Sequence, residues 1–318
     1  MKPLKWIAFA SCLSIHAVYA QSVQPVHQVE GYFVQKVGNL TVTALFDGEL
    51  GLPRSDLLRI PTEKANQLFA ENFVPIDDQN QIVTSFSAYL VQTPSQNILV
   101  DAGTAHCFGE SLGHVEDNLK RAGIQPAQID TILITHAHPD HLCGISKNGA
   151  MRYPNAKVYI AKADVDYWTS KSNEAKADDF FKPIFKMTRD ALKPYQDAGQ
   201  LIAFTEKTFN LPNVQLLDTH GHTYGHSSYL INGQNGQKFL GLGDVVHYAA
   251  VQLPYPEAVY RPDTDSDQAT VVRQNVFKQA AEQKWWIGAA HIAFPGIGHI
   301  AKANMGYRWI PVQYRPYP

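Results

Sequence analysis

The stretch Thr135-His136-Ala137-His138-Pro139-Asp140-His141 constrains this chain more than any other segment. It follows directly on residues 131–134, an apolar and β-branched run that reads as a buried strand. His136 and His138 are two apart, so at an extended strand end their rings project to the same side. Pro139 then turns the chain and lets Asp140 and His141 approach a second point close by. If buried, each of these side chains needs a polar partner. Three imidazoles and one carboxylate within six residues therefore suit a metal better than a packed core. A solvated histidine-rich loop is the bland alternative.

Three further residues argue against that alternative. His222 lies in His220-Gly221-His222-Thr223-Tyr224-Gly225-His226, Asp244 ends Gly241-Leu242-Gly243-Asp244, and His291 follows Ala289-Ala290. Each comes just after an apolar strand candidate, as the first motif does. Side chains placed on successive strand ends converge at one edge of a sandwich. Five neutral imidazoles and two carboxylates suit Zn(II), with Mn, Co or Fe open to the same N/O set.

Composition fits a globular carrier for such a site. Hydrophobic residues make up 45% and charged residues 18%, enough apolar material for a real core. The formal net charge is −2 and no basic run gives a footprint for nucleic acid. Residues 1–20 read as a secretory signal peptide: Lys2 and Lys5, an apolar stretch over 6–18, and Val18-Tyr19-Ala20 before Gln21. The stretch is too short for a membrane span, and no later one approaches it. Lipoprotein processing at Cys12 is a rival, weakened by Phe9 at a position where such signals carry an aliphatic. Export to the periplasm or medium is the expectation. Cys107 and Cys143 then remain, free to form a disulfide or to stay two buried thiols. The absence of a CxxC pair excludes a zinc ribbon.

No linker or repeat divides residues 21–318, so a single domain is expected. Strands are predicted over 41–47, 82–93, 97–100, 131–134 and 157–161, then near 200–205, 214–219, 227–232, 237–243 and 287–290. Helices are predicted over 113–122, 162–170, 177–198 and 268–284, with Pro183 and Pro194 kinking or breaking the third. In the last, Val272, Val276, Phe277 and Ala280 share a face. Runs of strands broken by helices, twice over, point to an α/β (α+β) fold of two mixed sheets packed face to face with helices outside.

With HxHxDH, GHTxGH, GLGD and a late histidine together, the chain resembles the metallo-β-lactamase superfamily of αββα metallohydrolases. The resemblance implies that His136, His138 and His222 hold one metal, that Asp140, His141 and His291 hold a second, and that Asp244 bridges them. Asp101, in Ile98-Leu99-Val100-Asp101, matches the family's carboxylate that buttresses the metal histidines. A bridging carboxylate separates the chain from true metallo-β-lactamases. Residues 292–318 are too few for the helical region of glyoxalase II, and His138 stands where flavodiiron proteins carry Glu. Residues 294–300 and 306–308, with 108–113, closely resemble methyl parathion hydrolase and its lactonase and arylesterase relatives.

That resemblance implies a small-molecule substrate, a lactone, aryl ester or phosphotriester, and a homodimer. It also implies an aromatic pocket from Phe108, Trp168 and Phe181. Asp140 and Asp244 are the candidates to relay a proton. His247, three residues past Asp244, is the candidate to touch substrate, where some lactonases place Tyr. His220 and His226 are expected in structural hydrogen bonds, His106, His114 and His299 in loops or helix ends, and His27 in solvent. Alternatives are a phosphotriesterase proper, a metal-dependent oxidoreductase on the same scaffold, and a non-catalytic binding module. The full ligand set speaks against the last two.

Overall fold

A computed structural model describes residues 28–317 of the chain. The expected signal peptide, Cys12 and His27 lie outside the described residues. The first sheet runs in chain order: β1 (Tyr32–Val37), β2 (Leu40–Pro53), β3 (Gln81–Gln92), β4 (Asn97–Val100), β5 (Thr131–Leu133), β6 (Lys157–Ala161) and β7 (Leu201–Phe204). The first four are antiparallel; β4 through β7 are parallel. The second sheet is also sequential: β8 (Val214–Asp218), β9 (Ser227–Asn232), β10 (Lys238–Gly241), β11 (Trp286–Gly288), β12 (Ile297–Lys302) and β13 (Tyr307–Pro311). Only β10 and β11 pair in parallel there.

Parallel neighbours need long crossovers, and helices supply them. α1 (Thr62–Glu71) precedes β3, and α2 (Val115–Arg121) joins β4 to β5. The short turn α3 (Pro139–Leu142) follows β5. α4 (Lys162–Thr169), α5 (Lys171–Lys176) and α6 (Lys182–Asp197) join β6 to β7. α7 (Ala249–Gln252) and α8 (Ser266–Gln283) lie between β10 and β11. Among the described residues no helix is long and apolar enough to cross a membrane.

The pleat explains the layers. Ile98 and Val100 face the second sheet with Leu133, Tyr229, Ile231 and Phe239, whereas Leu99, Ile132 and Val158 face the helical layer of Leu119, Phe185 and Leu192. On the far side Leu230, Leu240 and Ile287 meet Val272, Val276, Phe277 and Ala280 of α8. Strands buried on both faces read as continuous apolar runs, and side chains of successive residues go to opposite cores. The result is helix, sheet, sheet, helix.

Two cross-sheet hydrogen bonds close one end of the sandwich. The Ser227 N–H donates to the Thr135 carbonyl at 2.9 Å, and the Tyr229 hydroxyl to the Ile134 carbonyl at 2.7 Å.

Several sequence expectations need correction. The helix expected over 177–198 starts only at Lys182, and the prolines do not break it. Pro183 sits in its first turn, where no N–H is required. Pro194 sits in the last turn, and the Asp190 carbonyl that it leaves free accepts the Ser146 hydroxyl at 3.5 Å. The predicted helix over 162–170 stops at Thr169, and a separate turn, α5, follows it. The final strand expected over 287–290 is shorter, ending at Gly288, and is followed by β12 and β13. β1 and α1 were not foreseen either. Cys107 and Cys143 form a disulfide, with Cα atoms 6.4 Å apart.

Candidate metal centre

Every candidate ligand sits just beyond a strand's carboxyl end. β5 ends at Leu133, and Asp101, just after β4, shapes the turn beyond it. Its Oδ1 accepts the Thr135 N–H at 2.8 Å and its Oδ2 the His141 Nδ1–H at 2.8 Å. Asp101 holds φ +59°, a left-handed conformation that is rare outside glycine, so the turn is fixed at a conformational cost. Pro139 opens α3 and turns Asp140 and His141 back toward the strand end. In the second sheet, His222 lies between β8 and β9, Asp244 after β10 and His291 after β11.

The seven residues form two groups that share Asp244. His136, His138, His222 and Asp244 make one; Asp140, His141, Asp244 and His291 make the other. In the first, His136 Nε2 and His222 Nε2 each lie 3.0 Å from His138 Nδ1. Asp244 Oδ2 is 3.5 Å from His136 Nε2 and 3.3 Å from His222 Nε2. In the second, Asp244 Oδ1 lies 3.1 Å from both His141 Nε2 and His291 Nε2. Asp140 Oδ2 is 3.1 Å from His141 Nε2 and 3.4 Å from His291 Nε2. Tetrahedral zinc with bonds of about 2.0–2.1 Å spaces its ligand atoms about 3.3 Å apart. The eight separations above, 3.0–3.5 Å, bracket that value, and all ligand atoms within each group lie within 4.8 Å of one another.

Hydrogen bonds on the far ring nitrogens fix the tautomers. His141 donates Nδ1–H to Asp101, His222 donates Nδ1–H to Asp263 Oδ1 at 2.8 Å, and His291 donates Nδ1–H to the Ser85 carbonyl at 3.3 Å. His136 Nδ1 lies 3.0 Å from the Thr135 hydroxyl, itself bonded to Asp101. Each of these rings therefore turns Nε2 inward, the nitrogen that binds a cation once it is free of a proton. His141 Nε2 and Asp244 Oδ1 are buried with no hydrogen-bond partner. Converging lone pairs and orphaned buried acceptors fit a pair of divalent cations; they would be costly without them.

Electrostatics divide the histidines. Burial, then neighbouring imidazoles, hold His136 and His138 well below the ordinary histidine range. Burial opposes protonation of His222 and His291 too, but Asp244 with Asp263 or Asp140 outweighs it and raises both to about 9. His141 rises for the same reason under Asp244, Asp140 and Asp101. Burial works against ionisation of Asp244, yet the surrounding imidazoles hold its carboxyl well below the usual range.

The centre opens into a cavity of about 330 Å³. Leu50, Leu52, Phe86, Phe108, Phe181 and Ile184 give it apolar walls. His247 borders it as well, its Nε2 3.0 Å from Asp244 Oδ2 and its ring between Tyr260 and His291 at 4.2 and 4.9 Å. Burial pushes His247 down to about 4 against the pull of Asp244. Of the three aromatic residues that the resemblance assigns to a pocket, Phe108 and Phe181 line this cavity and Trp168 does not. It is 2% exposed, beneath the site, with its ring 5.4 Å from that of His138 and 4.9 Å from Phe185. The face of α4 that carries it packs on α6, so the indole is core.

Other histidines stay outside the two groups. His226, pushed by burial to about 3, accepts the Asp244 N–H on Nε2 at 2.9 Å. His220 pairs with Asp218 at 2.8 Å, and His299 donates to the Trp285 carbonyl at 2.9 Å. His106 and His114 are exposed.

Three supporting residues escaped the sequence reading. Asp263 orients His222. The Ser85 carbonyl orients His291, and a backbone acceptor leaves no mark in a sequence. Asp164 accepts the Ala137 N–H at 2.8 Å, the Thr223 hydroxyl at 2.8 Å and the Gly225 N–H at 2.6 Å. One carboxylate so ties the first-sheet ligand loop to the second-sheet loop of His222. Gly225 permits this approach, because a Cβ there would lie 2.7 Å from the Asp164 nitrogen.

Comparison with known proteins agrees with this geometry. Residues 84–279 match the family profile described as the metallo-beta-lactamase superfamily. The solved structure of hydrolase AbOPH, of the beta lactamase superfamily, is 34% identical at a TM-score of 0.86, covering 91% of this chain and 100% of that one. AidC, a dizinc quorum-quenching lactonase solved with its product N-hexanoyl-L-homoserine, is 25% identical at a TM-score of 0.81, covering 90% and 99%. Exodeoxyribonuclease WalJ of Streptococcus pneumoniae serotype 2 is 31% identical over 108 residues, 33% of this chain. The match spans only 36% of that relative's length.

Proposed function

The chain belongs to the metallo-β-lactamase superfamily, and from that premise we propose that it is an exported dinuclear zinc hydrolase of lactones and aryl esters, with phosphotriesters as weaker substrates. The observation that carries the reading is Asp244, with one oxygen in each ligand group and an apolar cavity beside it. A single carboxylate so placed serves two cations at once. His136, His138, His222 and Asp244 Oδ2 would hold one, and Asp140, His141, His291 and Asp244 Oδ1 the other. When bound, two divalent ions supply Lewis acidity toward an electrophilic oxygen and lower the pKa of water toward neutrality.

The chain's own residues do the rest. The apolar walls take the greasy part of a substrate and exclude water around the scissile bond. Of the two candidate proton carriers that border the cavity, Asp140 is the more open, its side chain 13% exposed against 3% for Asp244. We assign it the proton relay to the leaving oxygen. His247, neutral at pH 7, donates Nε2–H to Asp244 Oδ2 and steadies the shared carboxylate beside the substrate. The relationship to AidC, a lactonase, supports the substrate class; the disulfide supports export, since such bonds persist in oxidising compartments.

The test is a hydrolysis panel on zinc-loaded protein: acyl-homoserine lactones, dihydrocoumarin, aryl esters, methyl-substituted phosphotriesters and a β-lactam. Lactone and aryl ester turnover with two zinc ions per chain is expected. Cleavage of the β-lactam alone would overturn the substrate class, and full activity with a single ion would overturn the dinuclear centre. Natively exported protein should begin at Gln21 by mass spectrometry.

A further inference from the structure

The segment 104–113 carries Phe108 to the cavity, yet little holds it. At one end Thr104 is buried, donating N–H and hydroxyl to Asp47 Oδ2 at 2.8 and 2.7 Å. At the other, Leu112 is buried and Ser111 passes against Gly48, where a Cβ would meet the Ser111 carbonyl at 2.0 Å. Between these anchors His106, Phe108, Gly109 and Glu110 are exposed. The Cys107 N–H reaches only back to the Thr104 carbonyl at 2.9 Å, a local turn. Gly109, at φ +88° with nothing within 4 Å of where its Cβ would stand, adds freedom. Between the two anchors, the covalent bond from this stretch to the rest of the protein is Cys107–Cys143.

Its far end is rigid. Cys143 is buried, just past α3, and the backbone on either side is pinned. The Ala102 N–H donates to the His141 carbonyl at 2.8 Å and the Gly144 N–H to the Gly103 carbonyl at 2.9 Å. A Cβ on Gly144 would stand 1.7 Å from the Ala102 carbonyl oxygen, so the two backbone segments are in close contact there. The metal-ligand turn thus keeps its place through backbone bonds of its own, and the disulfide is needed only by the segment it tethers. Phe108, next to Cys107, is the side chain that gains from it.

We propose that the Cys107–Cys143 disulfide positions Phe108 in the cavity wall and thereby sets how firmly the mouth holds the apolar part of a substrate, without contributing to metal binding. The kinetic side of this rests on the hydrolase reading above; the structural side does not. The bond borders a surface hollow of about 390 Å³, so a reductant can reach it.

The experiment uses full-length, zinc-loaded Cys107→Ala, which leaves Cys143 as a buried thiol, alongside folded wild type reduced with a phosphine. Amide exchange should accelerate over 105–111 while 131–146 stays protected, and zinc content should stay at the wild-type value. KM for an ester or lactone with a long apolar tail should rise about three- to tenfold, the size of one aromatic contact, with kcat and the KM of a small acetate unchanged. Phe108→Ala should raise KM similarly, and combining the two changes should add little, because both remove the same contact. Zinc loss, or lost protection over 131–146, would make the bond a staple of the metal turn and overturn the proposal. So would unchanged exchange over 105–111, or KM effects that multiply in the double variant. If no ester or lactone is cleaved at all, the hydrolase reading fails, while exchange and zinc content still decide the tether.

Discussion

The two sheets contribute to one centre in opposite ways. The first supplies four ligands from one six-residue stretch after β5, braced by Asp101 from the neighbouring strand end. The second supplies three, each from a different loop, braced by Asp263, the Ser85 carbonyl and His226. Local chain geometry makes the first half; packing makes the second. The difference teaches where the centre is vulnerable: a change in the first half distorts one loop, whereas a change in the second can displace one ligand and leave the others.

The contrast can be broken most forcefully at the residue common to both groups. Asp244→Ala should release both ions and lower kcat/KM by more than about 1,000-fold, since an orienting partner alone costs about 10–100-fold. Elemental analysis showing two retained metals would remove Asp244 from its central place. Next come the bracing carboxylates. Asp101→Asn should weaken metal affinity toward the upper end of about 10–100-fold, because it disturbs both the Thr135 turn and His141; Asp263→Asn should fall at the lower end, touching His222 alone. Equal losses in competition titrations with a chelator would erase the asymmetry between the halves.

Proton linkage sharpens it further. His222 and His291, raised to about 9, carry protons in the metal-free protein at pH 7, and His141 of the first half shifts the same way, whereas His136 and His138 shift down. Metal must displace those protons, so affinity falls as pH drops below 9, by up to about tenfold per pH unit for each proton displaced. Titration calorimetry of zinc uptake in buffers of different ionisation heat should show proton release; none would mean that His141, His222 and His291 are all neutral before binding. The smallest effect belongs to the wall. Phe181→Ala should raise KM for aryl esters by about three- to tenfold and spare kcat, as loss of one aromatic contact does. Steady-state kinetics with unchanged KM would place Phe181 outside the substrate path.

The asymmetry also decides what was legible in the sequence. HxHxDH could be read because strand periodicity and Pro139 put its side chains together within one short segment. His222, Asp244 and His291 could be read only because each follows an apolar strand. Asp263 could not, since it stands just ahead of α8 among polar residues that suit a helix start. Trp168 was misplaced because an aromatic on a short helix gives no sign of which face α6 will cover. β12 was missed because Gly296-Ile297-Gly298 looks like a loop. Gly298 is there for close pairing: a Cβ would lie 2.3 Å from the Ile310 carbonyl oxygen on β13.

The cross-sheet bonds near the ligands bear on timing. Tyr229 and Ile134 are 95 residues apart, and His222 and His138, whose ring nitrogens nearly touch, are 84 apart. Contacts of such long range form after local ones, because the loop they close costs entropy before anything is gained. While only the first half of the chain has been synthesised, HxHxDH is complete in sequence but lacks the other three of the seven ligands. A single ion caught then would be held by an incomplete set and readily lost. Selective loading waits for the two halves to dock, and under the export proposed above, by a route that carries unfolded chains, that moment would fall after passage across the membrane. The choice of metal would then be made by the ions outside the cytoplasm.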